Sequence, residues 1–306
     1  MPLPPIPQKK QVFSIAGSYK ASAAGDKNRG MGAVRIGIVA PGSRIDAALA
    51  ARVRELAAAH FGGRAELRFH PQCFLASGHF AGDDAARANA FLDFANDPDV
   101  DAVWIARGGY GACRVVRRVL DGLTPAAMEK TYLGYSDAGS LLGALYGRGA
   151  TGAAHGPMVA DILREGGDKA VLRALGWLVE REMSALEGSV SGETPTAAFN
   201  LTILSHLLGT PFEPDLAHHV LMLEDVSEHL YRIDRALWQV TNNAGIRGCA
   251  GLKLGRVSAV PENDPQFGRT PEEIMRHWCG ESGIPFLGFA DIGHDIGNKV
   301  VPFGVV

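Results

Sequence analysis

Four cysteines stand in this 306-residue chain, at positions 73, 113, 249 and 279, and no two of them form a CxxC pair. That spacing argues against a zinc ribbon and a disulfide scaffold, and it suits a protein of the reducing cytoplasm. An excess of charge is lacking too: 30 Lys and Arg against 33 Asp and Glu leave a formal net charge of −3. No basic field is present to draw nucleic acid or an anionic membrane, so neither is expected as a partner. Long hydrophobic runs are missing. Polar residues interrupt every apolar stretch well before the roughly 18 positions of a membrane span. Residues 11–17 are too few for the apolar region of a secretory signal, and no clear cleavage pattern follows them. There is no internal repeat and no low-complexity tract.

What is present is an ordinary globular composition, 46% apolar and 21% charged, with 38 glycines for tight turns. A prior of about 150 residues per domain suggests roughly two domains, enough to bury a core without disulfide or metal staples. Residues 1–33 are Pro-rich, then Lys- and Ser-rich, and are expected as a disordered leader, with Met31 as an alternative start. From Val34 a regular alternation begins. Strands are expected at 34–40, 65–69, 101–106 and 131–134, and helices at 84–94, 112–120 and 138–146, after a first helix carrying Ile45, Leu49, Val53 and Leu56 at helical spacing. Such alternation implies right-handed crossovers and a parallel sheet, hence an α/β N-terminal domain over 34–165. A linker region at 166–195, holding a helix at 168–182, precedes a smaller mixed α/β C-terminal domain at 196–306. There, helices are expected at 200–208 and 230–240, strands at 220–223, 252–257, 286–289 and 299–303, and a capping box at Thr270 to Glu273 with Pro271 at the first helical position.

In an open α/β sheet, reactive groups gather at the carboxyl ends of strands, and three such places carry reactive side chains. In Gly134-Tyr135-Ser136-Asp137-Ala138 a serine stands between a strand and a helix, with small residues two positions to either side. This matches a nucleophile elbow of the GxSxG type, with Ala138 replacing the second glycine. The backbone N–H of Asp137, at the helix start, would then face a forming oxyanion. The plainer reading of Ser136 is a helix cap. The second place is Arg107-Gly108-Gly109-Tyr110-Gly111, whose glycines let backbone approach a ligand. It lacks the GxGxxG spacing and the Lys-Ser/Thr pair of a phosphate loop, as does the turn at 39–43, so no nucleotide cofactor is expected. It reads as a donor loop facing Ser136 or as a tight structural turn. Arg107 either binds a substrate carboxylate or forms a surface ion pair.

The third place is Leu221-Met-Leu-Glu224-Asp225, with Glu228 and His229 behind it. An acid straight after an apolar strand is partly buried and needs a partner, and histidine is the natural partner for a carboxylate that orients a base. His294, in a glycine-flanked loop, and His155, in His155-Gly156-Pro157-Met158, are the candidates. For either, a hydrogen-bonded structural role is the alternative. Asp215, His218 and His219 lie close together without a defined ligand geometry, so no metal is expected. Ser136, Glu224 and His294 follow the chain order of nucleophile, acid and base in α/β-hydrolases, although the same geometry arises with several orders.

Several segments together resemble the LD-carboxypeptidase family, the muramoyl-tetrapeptide carboxypeptidases and their microcin-immunity relatives. They are Val39-Ala-Pro41, Phe80-Ala-Gly82-Asp83-Asp84 with Arg87, Ala106-Arg-Gly-Gly-Tyr-Gly-Ala112, Gly134-Tyr-Ser-Asp137, His155-Gly-Pro-Met158, Leu223-Glu-Asp-Val-Ser-Glu228 and Gly293-His294. They stand in the family order and cover the chain from about Val34 to its end. The resemblance implies an α/β N-terminal domain joined to a smaller C-terminal domain, often as a homodimer. It implies a serine peptidase in which Ser136 is the nucleophile, His294 the general base and acid, and Glu224 the group orienting His294. Asp137 and Gly109 would form the oxyanion hole, and such a hydrolase needs no cofactor and no metal. Arg107, Tyr110 and His155 are the candidate substrate-binding residues. The substrate would be a cytoplasmic tetrapeptide of recycled cell wall, cut between an L-configured centre, such as that of meso-diaminopimelate, and a terminal D-alanine. Where the family has a Gly-Gly pair before Asn200, this chain has Ala198-Phe199, which bears on substrate shape rather than on the triad. Relatives also run on beyond the position of Val306. The competing readings are an immunity-type hydrolase of peptidyl or aminoacyl nucleotides, and a non-catalytic small-molecule-binding module that needs no convergence of Ser, Glu and His. The form Gly108-Gly-Tyr-Gly111 favours the carboxypeptidase.

Overall fold

Val34 to Val39 form strand β1 in the computed structural model, which describes residues 32–306. The expected leader, residues 1–33, therefore lies outside the described residues except for its last two. Alternation continues through α1 (Ala47–Phe61), β2 (Ala65–Phe69), α2 (Asp84–Ala95), β3 (Ala102–Ile105), α3 (Ala112–Gly122), β4 (Thr131–Gly134), α4 (Gly139–Gly147), β5 (Gly152–His155) and α5 (Asp168–Leu175). Asp46 and Asp83 start α1 and α2 by accepting the N–H of Leu49 and Ala86, both at 2.7 Å. β3 and β4 are buried at every position, as strands covered on both faces must be.

These strands pair in parallel in the order β2-β1-β3-β4-β5. The chain reverses direction of winding between β1 and β3, and in such sheets a crevice opens at the carboxyl ends beside that switch point. The turn after β1 and the glycine loop after β3 meet there, where the Ser43 N–H donates to the Gly108 carbonyl at 3.2 Å.

A second parallel sheet, β6-β7-β8-β9, is built from β6 (Thr196–Asn200), α6 (Leu201–Leu207), β7 (Val220–Val226), α7 (Leu230–Asn242), β8 (Gly251–Ser258), α8 (Pro271–Ser282) and β9 (Phe286–Phe289). The capping box at α8 forms as expected, Thr270 and Glu273 exchanging side-chain and backbone bonds. The α/β class is therefore the observed one, with β5 and β6 added to the strands placed from the sequence.

Two boundaries differ from expectation. Residues 166–195 are not a plain linker: α5 and the π-helical turn Gly176–Glu180 bury Val171, Ala174, Leu175 and Leu178 in the core that contains Ile36, Ile38 and Trp104 of the first sheet. Nor does 196–306 keep all its strands to itself. β10 (Val301–Pro302) pairs antiparallel with β5 and becomes the edge of the first sheet. Just beyond it, Gly304 exchanges two backbone hydrogen bonds of 2.9 Å with Thr196 of β6, so the last strand stitches the sheets together. A continuous apolar core does the same, running from Val103 and Tyr132 through Leu141 to Phe199, Leu204 and Leu223. At Gly143 in α4 a Cβ would lie 2.7 Å from Leu207 and 3.0 Å from Phe199, so glycine sets how closely α4 approaches the second sheet.

Arg87 in α2 is fully buried, and its guanidinium fastens the two loops at the switch point. It donates to the carbonyl oxygens of Pro41 and Gly111 and to Asp84, with Phe80 stacked 4.5 Å away. The Phe80–Arg87 motif is thus a bracket under the crevice. Arg87→Leu should strand both carbonyls and cost about 2–5 kcal/mol of stability. The check is a lowered urea midpoint at unchanged slope.

Candidate active site

At the end of β4 the chain turns through Gly134, where a Cβ would sit 2.7 Å from Ile105 Cγ1 and 3.4 Å from the Ala138 Cβ. Small residues at 134 and 138 are therefore a packing requirement of the turn. Ser136 itself has φ +60°, in the left-handed region that non-glycine residues rarely occupy. This is the strained strand-to-helix geometry of a nucleophile elbow. Ser136 does not cap α4, whose N-cap is Ala138. Its hydroxyl projects toward His294 instead, with Oγ 3.0 Å from Nε2.

Glu224 lies inside β7, which continues to Val226, rather than just after the strand. The β7–β8 register shifts at this point, with Leu223 opposite Leu254 and Asp225 opposite Val257. The irregularity sets Gly255 against Glu224: a Cβ there would be 2.9 Å from the Glu224 Cβ and 2.7 Å from Ile292. Glu224 is 0% exposed. Burial pushes its carboxyl above the usual range, while the hydrogen bond from His294 pulls it back down. His294 Nδ1 is 2.6 Å from Glu224 Oε2. An ionised carboxylate can only accept, so Nδ1 carries the proton and Nε2 is left to accept from the Ser136 hydroxyl. The neighbouring acids are engaged elsewhere: Asp225 accepts from Asn200 and Thr202 at the start of α6, and Glu228 pairs with Arg232.

The loop carrying His294 is held from several sides. Arg256 pairs with Asp291 and Asp295, which flank it. Asn298 Oδ1 accepts the Gly293 N–H at 3.1 Å and lies 2.9 Å from His155 Nε2. The Tyr135 ring sits between the two imidazoles, 4.8 Å from His294 and 5.5 Å from His155, while its hydroxyl donates to buried Asp161 at 2.8 Å. His155 was expected to touch substrate. At 1% exposure, behind Tyr135, it cannot reach the cleft and instead holds the His294 loop through Asn298.

A cleft of about 480 Å³ opens over Ser136, lined by Ser43, His79, Arg107, Gly108, Gly109, Met158, Arg164 and His294 among others. The glycine packed against Ser136 is Gly108, where a Cβ would lie 3.1 Å from the Ser136 Cβ; Gly109 packs on Ser43 instead. Asp137 is half-buried beside Ser136, and burial pushes its carboxyl up. Tyr110, expected at the substrate, lies outside the cleft lining, half-exposed against His79 and Phe80. Among the described residues no His, Cys, Asp and Glu group suits a metal ion. His219 is spent on Tyr146 and on the Ala217 carbonyl.

Models of the LD-carboxypeptidase N-terminal and C-terminal domains match residues 36–156 and 194–306. The chain belongs to the LD-carboxypeptidase family. A Synechocystis sp. protein provisionally named a carboxypeptidase is 33% identical over 234 residues, 74% of this chain and 75% of its own. The murein tetrapeptide carboxypeptidase of Pseudomonas aeruginosa is 27% identical over 88% of this chain and 91% of its own. The crystal structure of muramoyltetrapeptide carboxypeptidase from Oxalobacter formigenes superposes with TM-score 0.73 at 26% identity, covering 88% of this chain and 93% of that one. Within this LD-carboxypeptidase fold, the residues that sequence reading missed are Gly255, Arg256 and Asn298. Only Gly255-Arg256, a glycine closing an apolar strand, left a local sign.

His155 gives a pH test of this arrangement. Burial lowers it from 6.5 to about 4, so between those values the unfolded chain binds a proton that the native protein refuses. Stability should fall as pH drops from 6.5 toward 4 and level off below, a loss on the order of 3 kcal/mol. Denaturant titrations across that range should show a shallower slope for His155→Gln.

Proposed function

We propose that this protein is a serine-type LD-carboxypeptidase that removes the terminal D-alanine from muropeptide tetrapeptides during cell-wall recycling. The observation that carries the reading is the unbroken hydrogen-bonded line Ser136–His294–Glu224 at the cleft floor. Ser136 Oγ attacks the scissile carbonyl as His294 Nε2 takes its proton. His294 then returns the proton to the departing amine of D-alanine, and water repeats the sequence on the acyl-enzyme. Glu224 fixes the tautomer of His294 and stabilises the imidazolium. The backbone N–H of Asp137 and the glycine loop at 108–109 receive the oxyanion. The substrate assignment draws on the names of the Pseudomonas and Oxalobacter relatives.

In this reading the N-terminal part supplies the nucleophile and the C-terminal part the acid and base. The enzyme works in the cytoplasm, which its four unpaired thiols support. No helix among the described residues is long and apolar enough to cross a membrane. Assembly as a homodimer follows from the family resemblance and is checked by light scattering.

The test is incubation with muropeptides ending in L,D or D,D linkages, with D-alanine release expected only from the L,D set. Ser136→Ala should fold normally and lose several orders of magnitude in turnover. Glu224→Gln should lose roughly 10⁴-fold, whereas Glu228→Gln leaves the rate nearly intact. Hydrolysis of an aminoacyl nucleotide without D-alanine release would instead support the immunity-type reading. Ligand binding without turnover would support a binding module.

A further inference from the structure

We propose that Arg107 receives the free carboxylate at the C-terminus of the substrate peptide, and that this contact makes the site an exopeptidase's. The inference rests on the carboxypeptidase reading above and adds the group that tells a chain end from a chain middle. Those two differ at one place: a carboxylate stands where an internal residue has a neutral amide. A permanent cation within one residue of the reacting carbonyl can sense that difference, and a neutral donor senses it poorly.

The cleft over Ser136 offers four basic side chains: His79, Arg107, Arg164 and His294. His294 is committed to Ser136 and Glu224. Arg164 is committed to buried Asp161, with Nε 3.0 Å from the carboxylate, so its charge is neutralised within the cleft wall. Histidine carries charge only when protonated, the state in which a histidine base fails, so His79 is unsuited to the task. Arg107 remains. Its side chain is exposed, and its one hydrogen bond is a long contact of 3.5 Å from Nη1 to the Arg44 carbonyl. Among the described residues no carboxylate lies within ion-pair distance of it, so the surface ion pair that the sequence allowed does not form.

Placement supports the same assignment. Arg107 directly precedes Gly108, whose missing Cβ would lie 3.2 Å from the Ser136 Oγ. Arg107 is thus the chain neighbour of the glycine packed on Ser136, and its side chain lines the cleft that holds Ser136 and His294. It borders both this cleft and the adjoining cavity of about 410 Å³ lined by Arg44, Asp46 and Phe74. A planar guanidinium pairs with a carboxylate through two parallel N–H···O bonds. The leaving D-alanine would thus take its proton from His294 at one end and be held by Arg107 at the other.

The experiment compares one tetrapeptide in two forms, ending in the free acid or in the carboxamide of D-alanine. Wild type should strongly prefer the acid. Arg107→Gln should lose roughly 10–100-fold in kcat/KM on the acid, mainly through KM. Its loss on the amide should be much smaller, so the preference collapses, and Arg107→Lys should restore part of it. Thermal midpoints should match wild type, since the side chain is exposed. Retention of the wild-type acid-to-amide ratio by Arg107→Gln overturns the inference, as does equal cleavage of both forms by wild type. A wild type that cleaves neither form overturns the carboxypeptidase reading itself.

Discussion

A carboxylate with no exposed surface must find a cation or a strong donor, because taking a bare charge out of water costs several kcal/mol or more. Glu224 is such a group, and the hydrogen bond to His294 is what lets it stay inside the second sheet. Much of the surrounding structure follows from that bond. The register shift between β7 and β8 and the bare Cα of Gly255 make room for the acid. Arg256 and Asn298 then hold the loop that brings the imidazole to it. Because Nδ1 is taken by the carboxylate, Nε2 has a fixed role as acceptor, and the hydroxyl it meets belongs to Ser136, just beyond β4 of the other sheet. The acid therefore sets which nitrogen of His294 is free to face Ser136.

That line crosses from one sheet to the other, and reacting groups tolerate misplacement of only about an ångström. The two sheets thus need a rigid connection. The shared apolar core supplies part of it, and β10 supplies the rest by leaving the second half of the chain to pair with β5. The strained backbone of Ser136 belongs to the same logic. A left-handed serine persists only where its surroundings over-determine it, and here Ile105, Ala138 and Gly108 close in on the turn from three sides.

Sequence patterns disclosed whatever was local. Alternating apolar runs marked the parallel sheet, and the small residues around Ser136 marked the elbow, because the turn itself demands them. Chain order suggested Glu224 and His294 but left Asp225 and Glu228 as rivals. They were excluded only by contacts to Asn200, Thr202 and Arg232, which depend on how α6 and α7 start. β6 escaped notice because Thr-Ala-Ala-Phe-Asn has no alternation: all five positions are buried, and small residues carry little strand preference. Residues 166–195 looked like a linker for their glycines and threonines, yet tertiary packing drew α5 into the core. Asn298 carries no local signal, since its role comes from two partners, Gly293 and His155, that only the fold brings to it.

The division of the site between the sheets also has a functional sense. In the proposed mechanism the bond between Glu224 and His294 lasts through every step of the acyl-transfer cycle, and both groups come from the second sheet and the loop following it. In the same mechanism the contact between His294 and Ser136 is broken as the hydroxyl proton leaves and remade as a proton returns to it. That contact is the one spanning the cleft, and at 3.0 Å it is longer than the 2.6 Å bond behind it. A small shift between the sheets would stretch the exchangeable contact and leave the permanent one untouched. In the proposed mechanism the Glu224–His294 pair thus remains intact while Ser136 engages and releases.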